Sequence, residues 1–276
     1  MKKWLFVICF LLTSFVSFVK ADDTEPVHYA YANYLGSGIY RTTGQNASLV
    51  SMPFSYSLGD SNNISYELRL PLSFGFFDFD LADLPSLDLP DGIGTVTFTP
   101  GLAINYQASE DWLLETYIDL GYGRNLTQQR GVTIHSSGVS ALYNFNLKDY
   151  DSIWASRLYY ALYNGNGYNA KDSYAALQTG IDVGLPRQYQ LFGYNFQPRF
   201  FATAFWYFSE VNFLKPLTKD LSQAKHVTLS NSLEYGFTLK FTKKIGFSWA
   251  GIDRVGFSYR HSKNLSAFRL LFSVPI

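Results

Sequence analysis

Charge is what this sequence has least of. Only 16% of its 276 residues are Asp, Glu, Lys or Arg, against about 25% in ordinary soluble proteins. Acids and bases balance at 22 each, so there is no basic surplus and no nucleic-acid partner is expected. Cysteine is reduced to Cys9, which excludes a disulfide framework and a thiolate metal site. The four histidines, His28, His135, His226 and His261, do not cluster in sequence. There is no His-Glu-x-x-His pair, no Gly-x-Ser-x-Gly elbow and no glycine-rich phosphate loop. Neither a metal nor a cofactor is expected. Long apolar runs are missing as well. Beyond the first twenty residues no stretch offers 18 consecutive apolar residues, so no transmembrane helix is expected.

What is abundant is aromatic: 18% of the chain, with 24 Phe and 21 Tyr. Aromatic load with low charge suits a protein that uses lipid as part of its solvent. The first residues read as a targeting signal. Lys2 and Lys3 form a basic head, Trp4 to Val19 an apolar stretch, and Val19-Lys20-Ala21 a small-residue cleavage site. The expectation is a signal peptide over 1–21 and a mature domain over 22–276, with Cys9 and three lysines lost on cleavage and a net charge of −3. A secretion signal without a membrane helix leaves three locations: periplasm, exterior, or an outer-membrane barrel.

The mature region alternates with period two, the mark of strands with one apolar and one polar face. A first strand is expected over about Val27 to Arg41. The second alternates Val50, Met52, Phe54, Tyr56 and Leu58 with Ser51, Pro53, Ser55 and Ser57. The third sets Ile64, Tyr66, Leu68, Leu70, Leu72 and Phe74 against Ser65, Glu67, Arg69, Pro71 and Ser73. Further strands follow at Thr95–Tyr106, Leu114–Tyr122, Val139–Leu147, Trp154–Leu162, Ala175–Val183 and Phe200–Phe208. A tenth is expected over Val227–Phe241. An eleventh is expected over Ile245–Arg260, continuous because Ile245, Phe247 and Trp249 share parity with Val255, Phe257 and Tyr259, with a bulge at Gly251. The last carries Phe268, Leu270, Phe272, Val274 and Ile276 on one face and runs to the end of the sequence.

Connections sort by length. The two longest, Asp78 to Asp91 and Glu210 to Ala224, fall in the odd-numbered set. The even set, Leu58–Asn63, Gln107–Asp111, Lys148–Ser152, Pro186–Tyr189 and Thr242–Lys244, is uniformly short. Outer-membrane barrels have this asymmetry of short periplasmic turns and longer outer loops. In hydrocarbon every backbone amide must be paired internally, so the sheet must close. The expected fold is therefore an all-β, 12-stranded antiparallel transmembrane barrel with both termini in the periplasm. The alternative is a secreted sandwich whose apolar faces turn inward.

The segment Arg254-Val-Gly-Phe-Ser-Tyr-Arg-His, continued by Leu265-Ser-Ala-Phe-Arg-Leu-Leu-Phe-Ser-Val-Pro-Ile276, resembles the end of an autotransporter β-domain. With the signal and the strand series, the whole mature region is similar to the stand-alone group called solitary outer membrane autotransporter-like β-barrels. Ile276 departs from the terminal Phe or Trp common there. The resemblance implies a Gram-negative outer-membrane protein without a passenger, monomeric, in contact with outer-membrane lipid and with the barrel-insertion machinery. It makes Phe268, Leu270, Phe272, Val274 and Ile276 the insertion signal.

If apolar faces meet lipid, the polar faces line the lumen. Glu67, Arg69, Glu115, Asp119, Arg157, Asp182, Arg199, Glu234, Lys240, Arg254, Arg260 and Arg269 then point inward. Ionisable groups at membrane depth face water or one another, so they form either a selective constriction or a cross-linked plug. The functional expectation is a passive, porin-like small-solute pore or a structural surface protein, and not an enzyme. Two alternatives remain. His226 or His261 beside Ser230 or Asp220 would suit a lipid or peptide hydrolase, and the two long loops would suit an adhesin or receptor. The aspartates of 78–91 lack EF-hand spacing and read as a solvated loop.

Overall fold

The computed structural model describes residues 37–42, 45–77, 94–126, 129–167, 171–191, 193–208, 211–216, 224–229, 231–247, 250–263, 265–272 and 275. The expected signal peptide, most of the expected first strand, His28, the Asp78–Asp91 loop, Asp220 and Ser230 lie outside them. So do Val274 and Ile276.

The described residues form strands and tight turns throughout. In chain order these are β1 (Gly38–Thr42), β2 (Gln45–Ser61), β3 (Ile64–Phe77), β4 (Thr95–Phe98), β5 (Gly101–Gln107), β6 (Trp112–Asn125), β7 (Arg130–Leu147) and β8 (Tyr150–Gly165). They continue as β9 (Lys171–Gly184), β10 (Tyr189–Leu191), β11 (Tyr194–Tyr207), β12 (Val211–Pro216), β13 (Ala224–Leu229), β14 (Ser232–Phe247), β15 (Ala250–His261) and β16 (Leu265–Leu271). All pairs are antiparallel. The order runs β9-β11-β14-β15-β16-β1-β2-β3-β4/β5-β6-β7-β8 and returns from β8 to β9. Closure is made by β16 on β1, from Gly38 opposite Arg269 to Thr42 opposite Leu265. Among the described residues the main sheet therefore closes into a barrel, as backbone in hydrocarbon requires.

The main sheet contains 14 strands, against the twelve expected, and the excess has a local cause. β4 and β5 occupy one place between β3 and β6. They are separated at Thr99 and Pro100, where proline has no N–H for the ladder. The ladder continues on either side of the gap, because Thr99 N–H donates to Pro71 O (3.1 Å) and Leu120 N–H donates to Pro100 O (2.9 Å). β10 pairs only with the first residues of β11, closing the short turn after β9.

Two expected strands are corrected. The stretch Val227–Phe241 is not one strand. Val227 and Leu229 belong to β13, which pairs with β12 in a separate two-stranded sheet, and the barrel stave begins at Ser232. The stretch Ile245–Arg260 is not one bent strand either. Ile245 pairs with Ile252, Gly246 with Gly251 and Phe247 with Ala250, so the chain reverses between Phe247 and Ala250. The expected turn at Thr242–Lys244 lies inside β14. The shared parity that suggested continuity comes from a register shift between Lys240 and Ile245, which offsets one side of the hairpin. The last strand also ends earlier than expected, at Leu271.

Tight turns hold one end of the ring. Lys148 (φ 57°) and Asn62 (φ 54°) take the left-handed conformation in the two-residue turns joining β7 to β8 and β2 to β3. Such turns match the twist of the strands they join.

The barrel is inverted relative to a soluble protein. Along β6, Trp112, Leu114, Ile118, Leu120 and Tyr122 are exposed, while Tyr117 and Asp119 are buried. On the other side of the ring Phe257, Phe268 and Leu233 are exposed at 67%, 66% and 63%. Arg199 and Asp182 are at 0%. A water-soluble monomer rarely shows a contiguous apolar patch above a few hundred Å². Here the exposed Leu, Ile, Phe, Tyr and Trp cover staves all round the ring.

Candidate functional site: the charged interior

Inward-facing positions belong to one parity on each stave, so charged side chains meet inside the ring across intervening strands. Three clusters result.

The first spans β8, β9, β11 and β15. Asp182 Oδ2 accepts from Arg199 Nε (2.8 Å) and Arg254 Nη1 (2.6 Å). Arg199 Nη1 also reaches Asp151 Oδ2 at 2.7 Å, and Arg199 Nη2 donates to the backbone oxygen of Asp151 at 3.1 Å. Arg254 and Asp182 sit on staves separated by β11 and β14, so their contact spans the interior. Asp182, Arg199 and Arg254 are fully buried.

The second cluster joins β11, β14, β15 and β16. Glu234 accepts from Arg269 Nη1 (2.5 Å) and from Ser258 Oγ (2.6 Å). Arg260 donates to Ser232 Oγ (2.9 Å) and to the Tyr207 hydroxyl. Its guanidinium lies 3.6 Å from the centroid of the Phe205 ring, a stacking that suits the planar, weakly hydrated Arg head.

The third lies on β3, β6, β7 and β8. Arg69 Nε donates to Asp119 Oδ1 at 2.9 Å, and Ser136 Oγ donates to Asp119 Oδ2 at 3.4 Å. The Arg69 guanidinium sits 4.1 Å from the Tyr117 ring centroid. Arg157 Nη2 lies 3.5 Å from Glu115 and its Nε donates to Ser140 Oγ.

Ten of the twelve residues expected inside therefore enter these clusters. The other two, Glu67 and Lys240, are half-buried, and among the described residues neither joins an ion pair. Parity alone did not single out Asp151, Tyr117, Tyr207 or Gln178. Asp151 shares the parity of Arg157, which is the signal that could have found it. The interior is tightly filled beside Tyr117. A Cβ at Gly138 would stand 2.6 Å from that ring. We expect Gly138→Val to cost about 1–3 kcal/mol, read by urea unfolding of the detergent-folded protein.

On the outer wall the structure brings His261 together with Tyr259 and Ser266. The Tyr259 hydroxyl donates to Ser266 Oγ (3.2 Å), and His261 Nδ1 lies 3.4 Å from both oxygens. His135 is half-buried on β7, and His226 is on β13, opposite Leu214 in the backbone register. Among the described residues no group of three or more His, Cys, Asp or Glu could hold a metal. The residues expected as the insertion signal split: Phe268 and Leu270 face outward on β16, and Phe272 lies beyond its end.

This is the architecture of a closed antiparallel barrel with charge inside and apolar side chains outside. Among solved structures the chain is similar to the β domain of the Bordetella autotransporter BrkA, at 14% identity, covering 85% of this chain and 94% of that one, with a TM-score of 0.49. No protein-family model matches the sequence, and no curated relative does.

Proposed function

We propose that this chain is an integral barrel of a bacterial outer membrane whose lumen is shut at rest, acting as a small-solute conduit of low open probability or a structural surface protein. The observation that carries the reading is the inversion of the wall: Phe257, Phe268 and Leu233 outside, Asp182, Arg199 and Arg254 inside. Only hydrocarbon makes that distribution favourable, and closed antiparallel barrels are found in outer membranes. In this reading both termini are periplasmic. The partners are outer-membrane lipid and the barrel-insertion machinery, the protein is monomeric, and residues 1–21 are removed on export. The filled interior favours a closed lumen over a standing pore. Purified protein in planar bilayers should give rare, brief openings. A steady large conductance would overturn the closed state, and a protein that stays in solution without detergent would overturn the membrane reading.

A hydrolase is the second reading, favoured by one observation, the Tyr259–His261–Ser266 group on the lipid-facing wall. A serine beside a histidine is the minimal set for acyl transfer. Release of fatty acid from phospholipid by the parent, abolished in both His261→Ala and Ser266→Ala, would establish it. Equal release by parent and variants removes it. The β12–β13 hairpin, paired outside the barrel sheet, keeps a place for ligand binding by that loop.

A further inference from the structure

The outer wall is not evenly raised. From β6 to β9 the register sets outward residues in rows that run across the staves. One row is Thr116, Val139, Leu158 and Leu177. The next, nearer the Leu147–Tyr150 turn, is Leu114, Ala141, Ser156 and Thr179. The short side chains of Ala141 and Ser156 leave a trough beside the taller Val139 and Leu158. It holds about 470 Å³ and reaches from Ile104 on β5 to Leu177 on β9.

The polar atoms of its floor are spent on one another. Ser156 Oγ and Thr179 Oγ1 are 2.5 Å apart. The Thr179 hydroxyl donates to Ala155 O (3.1 Å), so its oxygen accepts from Ser156 and from Trp154 Nε1 (3.1 Å). Both hydroxyl protons and the indole N–H thus have acceptors, as polar groups facing hydrocarbon need. What the trough offers a ligand is alkyl surface. One row nearer the turn, Trp112 stacks on Tyr143 (ring centroids 4.8 Å) and meets Trp154 edge-on (6.4 Å). Trp and Tyr gather where hydrocarbon meets headgroups, so the trough lies just inside the interface on the short-turn side.

Its dimensions select the occupant. Five staves span four inter-strand gaps, about 19 Å in all. With strands tilted about 45°, that run descends about 13 Å, close to half of the ~30 Å hydrocarbon core. Adjacent outward rows are about 7 Å apart, which makes the footprint on the order of 150 Å². A protein partner covers about 800 Å². The trough is also continuous with the lipid-facing wall, so what fills it comes from the hydrocarbon.

We infer that the trough is a binding site for one acyl chain of a phospholipid in the periplasmic leaflet, held along the wall while bulk lipid exchanges around it. This rests on the membrane-barrel reading above and adds a specific lipid site to it. The chain is recognised by its alkyl surface, and the headgroup stays outside the aromatic ridge.

The test uses the full chain in detergent, titrated with phosphatidylethanolamine carrying a dibrominated stearoyl chain, which quenches tryptophan on contact. Trp206→Phe with Trp249→Phe leaves Trp112 and Trp154 as reporters in the expected mature region. Quenching should saturate at a low lipid-to-protein ratio, and phosphatidylglycerol with the same chain should quench equally. Ala141→Leu with Ser156→Leu fills the trough and keeps the wall apolar. It should weaken the saturable phase on the order of tenfold, the effect of excluding one or two methylenes from apolar contact. Thr116→Leu, outside the hydroxyl group, should act in the same direction. Quenching that rises linearly with lipid in the parent would overturn the site, as would parent-like titrations in both filled proteins. A strong headgroup preference would overturn recognition by the chain. Saturation by a dibrominated free fatty acid and not by phospholipid would overturn the phospholipid source, and a dimer abolished by the filling substitutions would overturn the lipid occupant. A parent chain that stays in solution without detergent would instead overturn the membrane reading, and folding of every variant is scored separately by the faster migration of unheated protein on a detergent gel.

Discussion

Asp182→Ala is expected to lower the free energy of unfolding by about 3–5 kcal/mol, the largest effect of any single substitution in this barrel. One carboxylate oxygen accepts from both Arg199 and Arg254, and both arginines are fully buried. Removing the acid leaves two guanidinium groups in a space with no bulk water. Arg199 retains Asp151; Arg254 keeps Thr238 Oγ1, at 3.4 Å. The loss is thus a desolvation penalty more than a lost attraction. That distinction has its own signature: a triple replacement of Asp182, Arg199 and Arg254 by Leu, Met and Met should recover most of the stability, because apolar groups of similar volume replace a buried ion pair at little cost. Urea titration in detergent, followed by aromatic fluorescence, measures both. A loss below about 1 kcal/mol for Asp182→Ala would mean that water reaches the cluster.

Ile118→Arg is expected to cost about 2–4 kcal/mol in lipid. Ile118 is near the middle of β6, paired with Leu102 on β5, and is exposed on the outer wall. On the surface of a water-soluble protein the same change is worth within about 0.5 kcal/mol either way. The sign and size of this one substitution therefore report which solvent touches the wall. The cost should shrink for outward positions near the ends of the staves, where an arginine can reach the interface.

How far the sequence disclosed the fold depends on what each feature rests on. β3 and β6 were legible because one inward and one outward residue alternate without interruption from Ile64 to Phe74 and from Leu114 to Tyr122. Barrel closure was legible because lipid leaves no alternative for a sheet of such strands. The pairing of β14 with β15 as a hairpin was not, since the register shift after Lys240 preserves parity across the reversal, and period two cannot distinguish a bulge followed by a turn from a straight continuation. The boundary between β13 and β14 was hidden for a similar reason: Val227 and Leu229 keep the parity of Leu233 while pairing with a different strand. Parity placed the charged residues on one face, but the pairing of Arg254 with Asp182 spans two intervening staves and depends on closure, which no local pattern encodes. The end of β16 at Leu271 was hidden by alternation that continues unchanged through Val274 and Ile276 in the sequence.

The central claim is that the outward parity of each stave lies in hydrocarbon. A nitroxide scan of β6 at 115 to 120, in lipid bilayers, tests it most directly through collisions with oxygen and with a water-soluble nickel chelate. Labels at Thr116, Ile118 and Leu120 should be relaxed strongly by oxygen and barely by nickel, with Glu115, Tyr117 and Asp119 shielded from oxygen. Strong nickel relaxation at Thr116, Ile118 and Leu120 would contradict the account.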